Sequence, residues 1–399
     1  MPRPVVLFGA SDRHNLGDLL FAHVAAVMLP GREVVVAGLA ERDLRAVGGH
    51  RVQSLHGLAR LGRLQGAHVL HVGGEILTTS AREAAVMLLR PQDVDGVLAT
   101  LEREPGLEPA WRQAMLGTDA DFPYVAAREA LPGVERIAFA GAGGSALARL
   151  APDPRTQVLR RLADADVASV RDAATQSATR AAGVQASLVP DPVAAVERLF
   201  GPRIRERARG RPVADILRDF GEGYVALQLS AEFGDDASLA RAADQLARLC
   251  TRTKLGIVLW RAGAAPWHDD PALLARLAAR LPEGRARIFE SLDVWDLCAL
   301  LAHARACACS SLHGAIVASA FGVAVAGLVR EGDHGQSAKL AGYFETWHAP
   351  DETRAWPLDR LAEGVEEAMS LEEGRRRESA ARRAHAVTAF FDRLSAVLY

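Results

Sequence analysis

The chain has 399 residues, enough for two domains with sizeable cores, since 49% of it is apolar and 24% charged. Its 47 basic and 49 acidic side chains leave a formal charge of −2, which argues against nucleic acid as an obligate partner, because such binders carry a net basic footprint. No apolar run reaches the roughly 18 residues a transmembrane helix needs, Met1-Pro2-Arg3-Pro4 leads straight into apolar sequence without room for a signal peptide, and four cysteines suit a reducing compartment, so a soluble, cytoplasmic protein is expected.

Short apolar runs alternate with longer amphipathic stretches, the pattern of βαβ units around a mostly parallel sheet. In the first half, strands are predicted at 5–8, 33–37, 68–72, 136–140 and 167–170, with a helix at 172–182. In the second half they are predicted at 224–229, 256–260, 286–289, 306–310 and 323–329. A helix over 238–250 keeps Leu239, Ala243, Leu246 and Cys250 on one face, with Asp236 and Ser238 as candidate caps. The Arg, Gly and Pro-rich stretch between the halves reads as a junction over 196–221. This gives an N-terminal Rossmann-like domain (1–195), a C-terminal one (222–375) and a terminal helix (376–399). The two domains are expected to face a cleft. The apolar spacing of Val387, Phe390, Phe391, Leu394 and Leu398 predicts that the terminal helix docks back on the first domain.

In open α/β sheets ligands bind at the carboxyl ends of strands, so strand-to-helix loops are where chemistry is sought. The turn Cys309-Ser310-Ser311-Leu312-His313-Gly314 feeds a helix N-terminus, whose free N–H groups and dipole favour an anion. Ser310 and Ser311 add hydroxyls there and His313 can deliver a proton, although a serine in this place can equally be a cap. Asn15-Leu16-Gly17-Asp18 follows the first strand and can present Asn15, Gly17 and Asp18 to a ligand, or can be a polar turn with Asp18 as cap. It is not a dinucleotide fingerprint. Gly73, Gly74 and Glu75 follow the third strand, where paired glycines allow close approach. Gly141 to Ser145 forms a similar flexible loop. Arg171 beside Asp172 reads as a structural ion pair, Asp191 between prolines as a turn former, and His68 and His71 as structural. His268 is a weak polar candidate. Cys307 and Cys309 read as core thiols, and no metal site is predicted. The run Arg375-Arg376-Arg377 with Arg382-Arg383 reads as a solvated helical face. Lys254 and Lys339 are the only lysines.

Taken in order, these segments resemble the polysaccharide pyruvyl transferase family. The matching pieces are Asn15-Leu16-Gly17-Asp18, Val72-Gly73-Gly74, Ser169 to Asp172, Val189-Pro190-Asp191, Gln228-Leu229-Ser230, the stretch 300–328 and Lys339 to Gly342. The resemblance implies a fold like GT-B glycosyltransferases and transfer of pyruvate from phosphoenolpyruvate to a sugar of a glycan or lipid-linked glycan, with no cofactor. It implies His313 as acid, with Asp18 as the second catalytic candidate. Ser310, Ser311 and either Arg330 or Lys339 would hold the donor, and Asn15, Gly17, Gly73, Gly74, Glu75 and Gln228 would bind substrate, the acceptor on the side of the first domain. The family carries Arg-Leu-His or Ser-Leu-His-Gly at the histidine turn, and this chain has the second form. Serine cannot replace a bidentate guanidinium fork. Either another cation such as Arg330 takes that place, or the donor differs, as in a transferase using a nucleotide-linked sugar, or the chain is a non-catalytic relative.

Overall fold

The computed structural model describes residues 3–330, 332 and 335–398. The chain divides into two units, residues 1–192 with 387–399, and residues 193–386. The first is built on an eight-stranded sheet. Its strands are β1 (Val5–Phe8), β2 (Val34–Gly38), β3 (Arg42–Asp43), β4 (Arg51–Ser54), β5 (His68–Val72), β6 (Arg136–Ala142), β7 (Val167–Val170) and β8 (Ser187–Leu188). Their spatial order is β3-β4-β2-β1-β5-β6-β7-β8. Every pairing is parallel except β3 with β4. The second unit holds β9 (Tyr224–Gln228), β10 (Gly256–Leu259), β11 (Ala286–Ile288), β12 (Ala306–Cys309), β13 (Ala324–Val329) and β14 (Ala355–Pro357). Their order is β11-β10-β9-β12-β13-β14, all parallel.

All ten predicted strands are present, with ends within a residue or two. Central strands of a parallel sheet are covered on both faces, so they are written as continuous apolar runs. Val5 to Phe8 and Tyr224 to Gln228 are buried throughout. The four strands the pattern did not announce, β3, β4, β8 and β14, are short; β3, β8 and β14 are edge strands and β4 lies next to the edge. In β4, only Val52 is buried, which leaves little apolar signal to read.

The helix expected at 238–250 runs over Asp236–Thr253, and its cap is neither Asp236 nor Ser238 but Asp235, whose carboxylate accepts from Ser238 N at 2.8 Å. The segment read as a junction, 196–221, holds the helices Val196–Arg207 and Val213–Asp219, which count with the second unit. The last helix spans Glu373–Leu398. Its residues from Val387 onward pack with the first unit, as the apolar spacing predicted. The arginine run, which falls within the first half of this helix, is not a uniformly solvated face. Arg383 is buried, donating to Glu352 at 3.0 Å and to Ser379 at 2.7 Å. Among the described residues no helix is long and apolar enough to cross a membrane.

Candidate functional site

Each sheet reverses its strand order once. In the first unit, the chain moves from β1 outward to β2 and then crosses to β5 on the other side. In the second, β10 and β11 lie to one side of β9, while β12, β13 and β14 lie to the other. Such switch points leave a crevice at the carboxyl ends of the two diverging strands, where open α/β folds bind ligands. The loops there follow β1 and β5 in one unit, and β9 and β12 in the other. Those four loops carry most of the residues singled out from the sequence.

In the first unit, Asn15 caps the helix Leu16–Met28, its side-chain oxygen accepting from Gly17 N at 3.0 Å and Asp18 N at 3.4 Å. Asp18 receives Gly74 N at 3.3 Å, which ties the β1 loop to the β5 loop. Gly73 sits at φ +142°, where a Cβ would also lie 2.9 Å from Ile76, so only glycine makes this turn without strain. Glu75 is committed within the fold. It accepts from the Ser145 amide and hydroxyl at 2.5 and 2.8 Å and from Arg171 at 3.0 Å. The glycine loop 141–145 is likewise spent on its neighbours, with Gly143 N donating to Gly74 O at 2.7 Å.

Arg171 is buried, but its partner is not the adjacent Asp172. It donates to the fully buried Asp191 at 2.8 Å and to Glu75. Asp172 instead caps the helix Ala173–Ala181 through Thr175 N at 2.8 Å. Asp191, expected only to form a turn, is the anchor of this guanidinium. The sequence reading also passed over Asp12, Arg13 and Tyr124. Asp12 accepts from Leu39 N at 2.7 Å and Ala40 N at 2.9 Å. Arg13 donates to the Tyr124 hydroxyl at 2.8 Å and lies 3.8 Å from Asp18. Burial pushes the Asp12 carboxyl up and the Tyr124 hydroxyl well up. The charges at Asp12 and Arg13, directly after an apolar strand, were the available signal.

In the second unit, a hydrogen-bonded chain crosses the switch point. Ser230 N donates to the Ser310 hydroxyl at 2.9 Å, and Ser311 N to the Gln228 side-chain oxygen at 2.8 Å. The other end of Gln228 donates to Asp269 at 2.8 Å. Asp269 also accepts from Ala262 N at 2.5 Å, and burial pushes its carboxyl up to about 6. Ser311 caps the helix Leu312–Ala320 through Gly314 N at 3.2 Å. His313 lies in its first turn and is 9% exposed. Gly314 is required by its neighbour: a Cβ there would stand 2.8 Å from the buried ring of Trp260. Arg330, after β13, donates to Glu232 O at 2.6 Å and stands 4.0 Å from Asp235. Lys339 lies on the helix Gln336–Trp347.

The second-unit arrangement combines a helix N-terminus, a glutamine that holds the Ser310 hydroxyl and the Ser311 amide, and an imidazole in the first helical turn. Such groups can receive an anion and move a proton. Asp269 and Trp260 were not among the residues selected from the sequence. They reach this site because β10 lies beside β9, an adjacency that no local pattern states.

Residues 150–332 match the model of the polysaccharide pyruvyl transferase family. UDP-GlcNAc 2-epimerase from Neisseria meningitidis, solved with UDP-GlcNAc, is 11% identical, with a TM-score of 0.52 over 99% of this chain and 99% of its own. The UDP-GlcNAc 2-epimerase of Methanocaldococcus jannaschii is also 11% identical, with a TM-score of 0.54 over 94% of each chain. The alpha,alpha-trehalose 6-phosphate synthase of Burkholderia multivorans is 14% identical, with a TM-score of 0.51 over 100% of this chain and 98% of its own. At such identities the likeness is one of fold, and it makes the two parallel-sheet units those of a GT-B-like protein. No curated protein matches the chain.

Proposed function

From a chain that matches the polysaccharide pyruvyl transferase family over residues 150–332, we propose a glycan-modifying transferase that moves a pyruvyl group from phosphoenolpyruvate to a sugar. The observation that carries this reading is that the family match includes the turn Ser310 to Gly314, at the switch point of the second sheet. His313 is the acid. It protonates the methylene carbon of phosphoenolpyruvate, leaving an oxocarbenium-like centre at the carbon that bears the phosphate. A sugar hydroxyl adds there and gives up its proton to the His313 imidazole that the first transfer left unprotonated. A second hydroxyl then replaces phosphate, its proton leaving with the departing phosphate, and a cyclic ketal closes. The donor brings a phosphate and a carboxylate, which suit the N-terminus of the helix Leu312–Ala320. Asn15, Gly17, Gly73, Gly74 and Glu75 belong to the acceptor side, with Glu75 acting through the loop it braces. Gln228, Ser310 and Ser311 shape the donor side.

The departure at Ser311 favours a second reading, a transferase of the same fold that takes a nucleotide-linked sugar. Thermal unfolding with millimolar phosphoenolpyruvate, beside UDP, GDP and CMP-linked sugars, separates the two. A ligand at about 100 times its dissociation constant stabilises the folded state by roughly 2.7 kcal/mol. A rise in midpoint with phosphoenolpyruvate that His313→Ala diminishes is expected. A rise with nucleotides alone would sink the pyruvyl donor.

A further inference from the structure

Gln228 ends β9, between the loop that follows β10 and the turn that follows β12. Its side chain meets both. Nε2 donates to Asp269 Oδ1 at 2.8 Å, while Oε1 accepts from Ser311 N at 2.8 Å and from the Ser310 hydroxyl at 3.3 Å. A primary amide can be placed either way round, and here only one way works. Turned over, its N–H groups would face the Ser311 amide, donor against donor. Its oxygen would face the Asp269 carboxylate, acceptor against acceptor.

The Ser310 hydroxyl can serve either orientation, since it both donates and accepts. An ionised Asp269 cannot, because it only accepts. Asp269 is itself fixed. Its Oδ2 takes Ala262 N at 2.5 Å and Gly263 N at 3.4 Å, which leaves Oδ1 for Gln228. The same segment is tied to the loop after β9, where Ala231 N donates to His268 O at 3.2 Å. From Gln228 the constraint passes into the turn. Ser311, held at its amide, uses its hydroxyl to accept Gly314 N at 3.2 Å, and the Ser310 oxygen takes Ser230 N at 2.9 Å. The loop after β10 thus sets how the turn after β12 stands, although the two are not neighbours in the sheet.

We infer that Asp269 is a positioning residue of the donor site: by accepting the Gln228 amide it turns the glutamine oxygen toward Ser310 and Ser311, and so holds the histidine turn in the form that receives the anionic donor. This rests on the donor-site reading above and adds a residue to it from outside the turn.

Calorimetric titration of the full chain with phosphoenolpyruvate and with inorganic phosphate tests it, at pH 8, above the value of about 6 to which burial lifts the Asp269 carboxyl. In Asp269→Asn the new side chain must give its oxygen to the two backbone amides. Its NH2 then faces Gln228, which can no longer serve both ends, and binding is expected to weaken about tenfold or more. Gln228→Glu sets a second carboxylate against Asp269 and should also weaken binding. In the double variant Asp269→Asn/Gln228→Glu, donor and acceptor change places. The new amide donates to the new carboxylate, whose other oxygen accepts Ser311 N, so most of the loss should be recovered. A double variant that binds no better than the single variants overturns the inference. So does wild-type affinity in Asp269→Asn, which leaves the pyruvyl reading standing if phosphoenolpyruvate binds. The expected pattern with phosphate, but no binding of phosphoenolpyruvate, upholds the inference and removes the pyruvyl donor. A wild type that binds neither ligand overturns both. If Asp269→Asn fails to fold, glutamine-selective 15N spectra of the wild type decide. The Gln228 NH2 signal, identified by its absence in Gln228→Glu, should exchange slowly with water, and rapid exchange would overturn the inference.

Discussion

Asp269 carries more than its position in an exposed-looking Trp-His-Asp-Asp segment suggests. Three N–H donors converge on it, and one of them belongs to the glutamine that holds the histidine turn. Even so, loss of water outweighs those bonds, and its carboxyl rises to about 6 from an ordinary 3.8. A carboxyl raised on folding binds its proton more tightly in the native state than in the unfolded one. Its contribution to stability is therefore full below about pH 4 and falls as pH rises through 6. Urea unfolding from pH 4 to 7 should show this decline in the wild type, and Asp269→Asn should flatten it. An unchanged slope in Asp269→Asn would mean the carboxyl is not the titrating group. His71 behaves in the opposite sense. Stacked on Phe139 and hydrogen-bonded to Ala138 O, it is held neutral by burial, down to about 3, which agrees with its reading as a structural histidine.

Among the elements, the loops after β5, β6, β7 and β8 are bound to one another by a single guanidinium. Arg171 at the end of β7 reaches Asp191 beyond β8 and Glu75 beyond β5, and Glu75 in turn holds the loop after β6 through Ser145. Removing one member of a buried ion pair leaves the other charge uncompensated, typically at about 3 to 5 kcal/mol. Asp191→Ala should therefore destabilise the first unit by that order, measured as a lower urea midpoint. Because Glu75 is braced by the same arginine, the change should also speed hydrogen exchange at Gly74 and Ser145 amides. A loss below about 1 kcal/mol, the worth of an exposed pair, would refute this role. The sequence alone could suggest that Arg171 was structural. It could not choose Asp191 over the adjacent Asp172, because the choice depends on where β8 returns beside β7.

For the whole molecule, the last helix matters most. Its residues to Ala386 count with the second unit and those from Val387 with the first. Phe391 and Leu394 are each 1% exposed, and Arg32 donates to Leu398 O at 2.7 Å. The first unit thus completes its packing with the last residues of the chain. Phe391→Ala is expected to cost about 3 to 5 kcal/mol through lost burial and the cavity left behind. Native-state hydrogen exchange should locate the loss in β1 and β5 rather than in β9 and β12. Loss spread equally over both sheets, or confined to the second, would contradict that assignment. Two units of similar size also mean that a single thermal midpoint need not describe the chain.

Local sequence was enough for the ten apolar strands, since a strand covered on both faces must be apolar along its whole length. It was enough for the order of strands and helices, and for finding Asn15, Asp18, Gly73, Gly74, Ser310, Ser311 and His313 in loops after strands. Tertiary structure alone decided the rest. Edge strands such as β3 and β8 carry no buried run to announce them. The partner of Arg171, the link from Asp269 through Gln228 to Ser311, and the packing of Trp260 under Gly314 all depend on strand order. Strand order is set by which way each crossover turns. That is a property of packing between distant segments, and no stretch of neighbouring residues contains it.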